Sequence, residues 1–553
     1  MKRFGSRTIA CILSLLLIGT SALRVSAQPG SDARPAVVVS VSSVDRLLGD
    51  IGALTRTAGW PQIGGLVMLL TSPYTQDLDA KSPGGMFVSL NGGEPSGAAF
   101  IGVKNFDSVM KKLEEQFGKA EDLGDGVLKL SLQRDFFIKH TGNWLYVSDK
   151  AANLSNVPAD PTRYLASLNG PYTVAVQVNA DAIPQELKAA ALEELKKNAQ
   201  QRLERELEGK SDDDRRQAEL SAQQGLEVLG SLIQDTDQVT LGWGTDRAAN
   251  KTALEFTLTA KAATKLAEHL SLNSKQRSRI APFPLPESAF SLLYNISVPP
   301  AMAAMLVKST DNLRAKAVKA IDDNPNIPDA STRTAIKEAA NLLIDVLAAT
   351  CQQGQLQGAV AVKLVPGALQ VAVGGTVADG AKVEKALRGV AGAMKDVPEF
   401  PAIKFAAQNH QNVALHTLSV PVPSSDANAT KIFGSQVDVA LGTSPDRAYI
   451  ALGGNAVELL KKALDAQPSA GGASPFAVKV ALTPILTFAG AMNPDPNLEK
   501  LAKASGKTSG KDHILIVAKA AERSVTYRLE IEEGVLSLIG EAAKMQGANS
   551  GEN

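Results

Sequence analysis

One phrase recurs four times in this chain and constrains its fold more than any other feature. It reads "AAFIGVKNFDSVMKKLEEQF" from Ala98, "ALEFTLTAKAATKLAEHLSL" from Ala253, "ALQVAVGGTVADGAKVEKAL" from Ala368 and "SVTYRLEIEEGVLSLIGEAA" from Ser524. Each copy is an alternating strand that runs into an amphipathic helix. In Phe106–Phe117 the apolar stripe is Phe106, Val109, Met110, Leu113 and Phe117. In Thr252–Ala260 the residues Leu254, Phe256 and Leu258 alternate with polar neighbours, which predicts one buried and one polar sheet face.

A second pattern precedes each copy. Strands are predicted at Ala36–Val41, Tyr172–Val178, Ala289–Ile296 and Phe476–Leu482, each feeding a helix. In three of them proline stands at the helix start: Pro184, Pro299 or Pro300, and Pro484. Proline suits the first helical turn, where its missing N–H has no intrahelical partner to lose. The predicted order is strand, helix or helices, two strands, helix. The first and third units carry an extra segment, about 121–154 and about 402–465. These end alike, in "GNWLYVSDKAANL" from Gly142 and "PDRAYIALGGNAVEL" from Pro445, with Tyr146 opposite Tyr449.

The predicted fold is therefore α+β, internally duplicated, with mainly antiparallel sheets covered by helices and two similar halves. The first half is 28–275, with units of about 36–155 and 172–272 and a helical insertion at 184–234. The second is 288–548, with units of about 290–466 and 476–546 and an insertion at 299–351. Linkers are expected at 157–161, 281–287 and 467–475, and poorly ordered tails at 28–35 and 545–553. In the first insertion Ser211 and Asp214 are spaced as an N-terminal cap, and Glu193 and Lys197 as an i,i+4 pair.

The N-terminus carries the signal for location. Lys2, Arg3 and Arg7 precede an apolar run from Thr8 to Leu23, and Val25-Ser-Ala27 offers a cleavage site. This predicts a signal peptide at 1–27 and an exported protein, periplasmic or extracellular; an uncleaved anchor is the alternative. The segment holds four of the 57 basic residues and no acid, so 53 remain against 57 acidic ones, a net charge of −4. That balance excludes a nucleic-acid partner. No later stretch is long and apolar enough to span a membrane. Cys351 is the only cysteine left after cleavage and is expected to be a buried structural thiol.

No reaction is legible. His140, His269, His410, His416 and His513 show no metal-ligand spacing, and neither HExxH nor an EF-hand loop is present. "SGKTSGKD" from Ser505 lacks the leading glycine of a phosphate loop, "GWGTDR" from Gly242 lacks the third glycine of a dinucleotide fingerprint, and no GxSxG elbow occurs. Trp60, Trp144 and Trp243 are expected in the core. No catalytic, metal or cofactor-binding residue is assigned, and no cofactor is expected.

Together with the signal peptide, "GGMFVSLNGGEPSGAAFIGVKNFDSVM" from Gly84 and "FFIKHTGNWLYVSD" from Phe136 resemble uncharacterised secreted proteins of planctomycete-type bacteria. The resemblance implies no activity. The expected function is an exported cell-envelope binding or scaffold protein for a protein or small-molecule partner. A hydrolase with an unrecognised site between the halves, or a carrier of apolar ligands, stays open.

Overall fold

The computed structural model describes residues 34–550 except 92–93, 132–133, 210–211, 281–282, 284, 286, 326, 328, 396–399, 467–473 and 509. The signal peptide at 1–27, most of the tail 28–35, most of the two later linkers and Ser211 of the expected cap lie outside the described residues. The chain divides into two compact units, one up to Ala267 and one from Glu268.

The first unit opens with β1 (Val37–Val41), α1 (Val44–Thr57), α2 (Pro61–Thr75), β2 (Gly84–Asn91), β3 (Glu94–Gly102) and α3 (Phe106–Phe117). Four strands follow: β4 (Glu121–Asp122), β5 (Val127–Ser131), β6 (Asp135–Thr141) and β7 (Trp144–Ser148). Then come β8 (Val174–Asn179), α4 (Gln185–Glu206), α5 (Asp212–Asp235), β9 (Thr236–Asp246), β10 (Lys251–Ala260) and α6 (Lys265–Lys275), in whose first turn the boundary falls. The strands pair antiparallel in the order β10-β9-β8-β1-β2-β3-β7-β6-β5-β4.

The second unit contains β11 (Phe290–Ser297), α7 (Pro300–Asp322), α8 (Ala330–Gln352), β12 (Gln355–Lys363), β13 (Gln370–Thr376) and α9 (Gly380–Ala393). Next are β14 (Lys404–His410), β15 (Val413–Pro421), α10 (Ala427–Phe433), β16 (Gln436–Ser444), β17 (Arg447–Leu452) and α11 (Ala456–Asp465). The last elements are β18 (Phe476–Ala481), α12 (Leu482–Met492), α13 (Pro496–Gly506), β19 (His513–Ala520), β20 (Ser524–Ile531) and α14 (Glu533–Ser550). Here the order is β20-β19-β18-β11-β12-β13-β17-β16-β15-β14, also antiparallel throughout. The fold is mixed α+β, and the tail expected at 545–553 is helical as far as Ser550.

Register is fixed by side chains placed directly opposite one another. In the first unit a cross-strand row runs Leu128, Ile138, Val147, Ala99, Met86, Val39, Val176, Leu241, Phe256. In the second it runs His416, Leu441, Ile450, Val373, Val360, Leu292, Val478, Ile516, Leu529. A one-residue slip of any strand would break its row, because alternate residues point to opposite faces. Helix α3 covers the Ile138 end through Met110. Asn105 caps α3 by accepting from the Ser108 N–H at 3.0 Å, and Gly118 ends it at φ 91°.

The opposite face mixes small residues with a few large ones, which lets other chain approach closely between them. In the first unit Val38, Ala98, Phe100, Tyr146 and Ala175 pack with Leu154, Leu165 and Leu168. The stretch 157–161 is an irregular connection, but it is tied to the core: the Tyr146 hydroxyl donates to the Pro158 carbonyl at 2.5 Å, and Leu165 and Leu168 just beyond it are buried. In the second unit Ala359, Ala361, Ala372, Ala440, Tyr449 and Ala451 lie under Leu459 and Leu460 of α11.

The burial of β10 corrects an expectation. Leu254 and Phe256 are 41% and 39% exposed, while Ala253, on the other face, is buried. Glu255 faces the packed side, where the Tyr172 hydroxyl donates to it at 2.8 Å. Alternation identified two faces here, but the covered one is that of Ala253 and Glu255. A second correction concerns α4, where Glu193 pairs with Lys196 at 2.7 Å rather than with Lys197.

Tyr449 packs on Gly374 so closely that a Cβ there would overlap its ring. We expect Gly374→Ala to destabilise the chain by about 1–3 kcal/mol, the usual cost of overpacking. Urea unfolding measures this, and a loss below about 0.5 kcal/mol, inside the range of neutral surface changes, would contradict the packing account.

Candidate functional site: an uncharged exposed helix

The histidines are placed first, because a reaction would need them. His140 stacks on Phe106 with ring centroids 4.4 Å apart. His410 Nε2 lies 2.7 Å from Asp465, whose carboxyl that contact holds below the usual range. His513 Nδ1 lies 2.8 Å from Glu532. His269 Nε2 lies 3.2 Å from the Asn273 amide. Each is closed by a local partner, and among the described residues no three His, Cys, Asp or Glu side chains are grouped to hold a metal. Cys351 is buried, and burial pushes its thiol up.

His416 is fully buried and stands in the apolar row. Its Nδ1 accepts from the Ala406 N–H at 3.0 Å, aimed by a bulge in β14 where Ala406 takes φ 48°. Nδ1 therefore carries no proton, and Nε2–H donates to Thr443 Oγ1 at 2.9 Å. The Thr443 hydroxyl in turn donates to Glu384 at 3.4 Å, and Arg388 holds Glu384 at 2.6 Å. In this tautomer both ring nitrogens are occupied, so His416 is not placed to take a proton from Thr443. Burial is the main cause that lowers its pKa; Arg388 adds to the lowering and Glu384 opposes it. His410 and His416 are not brought to one site.

Two of the three tryptophans have side-chain partners. Trp144 packs against the Phe100 core, edge-on at 5.8 Å. Trp243 donates from Nε1 to Thr252 at 2.8 Å, and Trp60 precedes the first turn of α2.

That helix is the feature the motif search missed. The twenty residues between Arg56 and Asp77 contain no Asp, Glu, Lys, Arg or His. Ile63, Leu66, Met68, Leu69 and Leu70 are 43%, 53%, 48%, 70% and 47% exposed. Its contact with α1 is made at glycine: a Cβ on Gly64 would lie 2.5 Å from Thr55 Oγ1 and 3.2 Å from the Gly52 Cα. So α2 rests on α1 along one narrow side. Its C-terminal end is held by Lys112, which donates to the Pro73 carbonyl at 2.9 Å and to Asp77 at 2.6 Å.

Helix α1 is fixed in turn. Ser43 caps it by accepting from the Arg46 N–H at 3.0 Å. Asp50, 1% exposed, accepts from the Thr173 hydroxyl and from Arg247 Nε at 2.5 Å. A buried carboxylate needs such partners. The sequence signal for the α2 site was the missing charge, since an exposed helix ordinarily carries a polar face.

Other surfaces are less distinctive. An open cleft of about 660 Å³ lies along α12 and α13, between Leu486, Gly490, Pro494 and Ala502, beside the Glu499–Lys503 pair at 2.6 Å. No family model, no curated protein and no solved structure matches this chain.

His269 and His416 give a pH dependence with a definite sign. Burial lowers both below the ordinary value of 6.5. The unfolded chain therefore takes up these protons first, and stability, complete above about pH 7, falls as pH drops through about 6.5 towards the folded values. Each group contributes at most about 1.4 kcal/mol per pH unit. Carboxylates enter below about pH 4.5 and do not obscure this window. Between pH 7.5 and 5.5 the protection factors of β15 and β16, taken against the intrinsic exchange rate at each pH, should fall, and His416→Gln should lose the larger part of that fall. An unchanged pH slope in the variant would refute the assignment.

Proposed function

We propose that this chain is an exported cell-envelope binding or scaffold protein that docks an apolar partner on α2. The observation that carries this reading is the exposure of five large apolar side chains on one uncharged helix. Monomeric soluble proteins rarely leave such patches open, and those that persist mark interaction sites. The export part of the reading rests on residues 1–27. Among the described residues no helix is long and apolar enough to cross a membrane.

The two units are proposed to be duplicates of one ancestor. In support, the ten strands of each follow one another in the same order, and the apolar rows correspond position by position, with His416 where the first unit has Leu128. Each unit is further proposed to hold two copies of strand, two helices, two strands and helix. The uncharged helix α2 then has charged counterparts in α5, α8 and α13, so the docking surface is a specialisation of one copy rather than a property of the repeat.

Met68 reports on the site, because the residue is 48% exposed and its thioether is oxidisable. In the purified protein Met68 is expected to oxidise readily with peroxide. In the intact envelope fraction of the producing cell its oxidation is expected to slow about tenfold, a protection worth about 1.4 kcal/mol. Equal rates in the two preparations would remove α2 as a docking surface.

A further inference from the structure

We propose that the partner of α2 is a lipid bilayer surface, a step that rests on α2 being a docking surface at all. The first argument is angular. At 100° per residue, Met68, Leu69, Leu66, Leu70 and Ile63 spread over about 220° of the helix circumference. A helix seated in a protein groove presents one stripe at i, i+3, i+4 and i+7 and keeps a polar back. Here the exposed apolar groups reach round to Met68, about 40° from Gly64, where its methyl group lies beside Gly52 of α1. A hydrocarbon phase surrounds such a helix on every free side, whereas a folded partner covers one.

Charge complementarity is the second argument. The bilayer core tolerates no unpaired charge, and none is present from Thr57 to Gln76. The charges that flank it in sequence are Arg56 and Asp77, and Lys112 joins Asp77 at its C-terminal end. Trp60 at its start and Tyr74 near its end have the apolar body and polar tip that settle at the headgroup level.

Length sets the depth. Fifteen residues rise about 22 Å, short of the roughly 30 Å hydrocarbon core. Both ends are fixed to the same unit, so α2 lies in one leaflet and does not cross.

The test uses the full chain and vesicles of phosphatidylcholine alone. Comparing variants that share one N-terminus isolates α2 from the apolar run at 8–23. Vesicles are expected to slow Met68 oxidation about tenfold or more, in low and in high salt alike, since no charge takes part. Leu66→Asp with Leu69→Asp changes two exposed positions and leaves the fold intact by circular dichroism; it should abolish the protection. Protection in the envelope fraction without protection by vesicles overturns the lipid assignment and keeps α2 as a docking surface for another partner. Protection that rises with protein concentration in lipid-free buffer assigns a second copy of the chain instead and also overturns it. Protection in neither preparation overturns both readings.

Discussion

Everything in this fold depends on cross-strand pairing of apolar side chains in register. Within the rows through Met86 and Val360 each inner residue stands between two apolar neighbours, except Leu441, which has His416 on one side. Such pairs contribute about 0.2–1 kcal/mol apiece. Their larger effect is on specificity, because a slipped strand would turn its apolar set to the wrong face. The reverse face could then be built from alanine, glycine and a few large anchors. Tyr146 and Tyr449 each fill the space that the small residues leave.

Much of this was legible in the sequence, for a physical reason. Strand and helix periodicities are local, so the passage from Ala98 to Phe117 declares both elements and the corner between them. The likeness of the segments around Tyr146 and Tyr449 was legible too, since a buried tyrosine on a short strand after a tight turn leaves a compact signature. What covers a face is not local. Leu254 and Phe256 alternate as core residues do, yet they stand exposed. The stretch after Val157 reads as a break, yet Leu165 and Leu168 close the core of the first unit.

The candidate site was hidden by the same limitation. An uncharged run such as Ile63–Leu70 usually means burial, and only coordinates separate a buried run from a bare one. The absence of charge between Arg56 and Asp77 was visible from the start. It carries information only when joined to exposure. His416 shows the converse. Its spacing from His410 suggested nothing, and the structure gives it the place of an apolar residue, with both ring nitrogens bonded.

The mounting of α2 has one more consequence. Its start rests on α1, which Asp50 fastens to Thr173 and Arg247, and its end is held by Lys112. A protease cleaves only where several residues unwind into its cleft, and termini and loose loop tips offer that most readily. A helix secured at both ends offers it poorly, however open its side chains are. Many peptidases favour apolar residues, and this anchorage lets Leu66 and Leu69 stand in the open without becoming a cutting site.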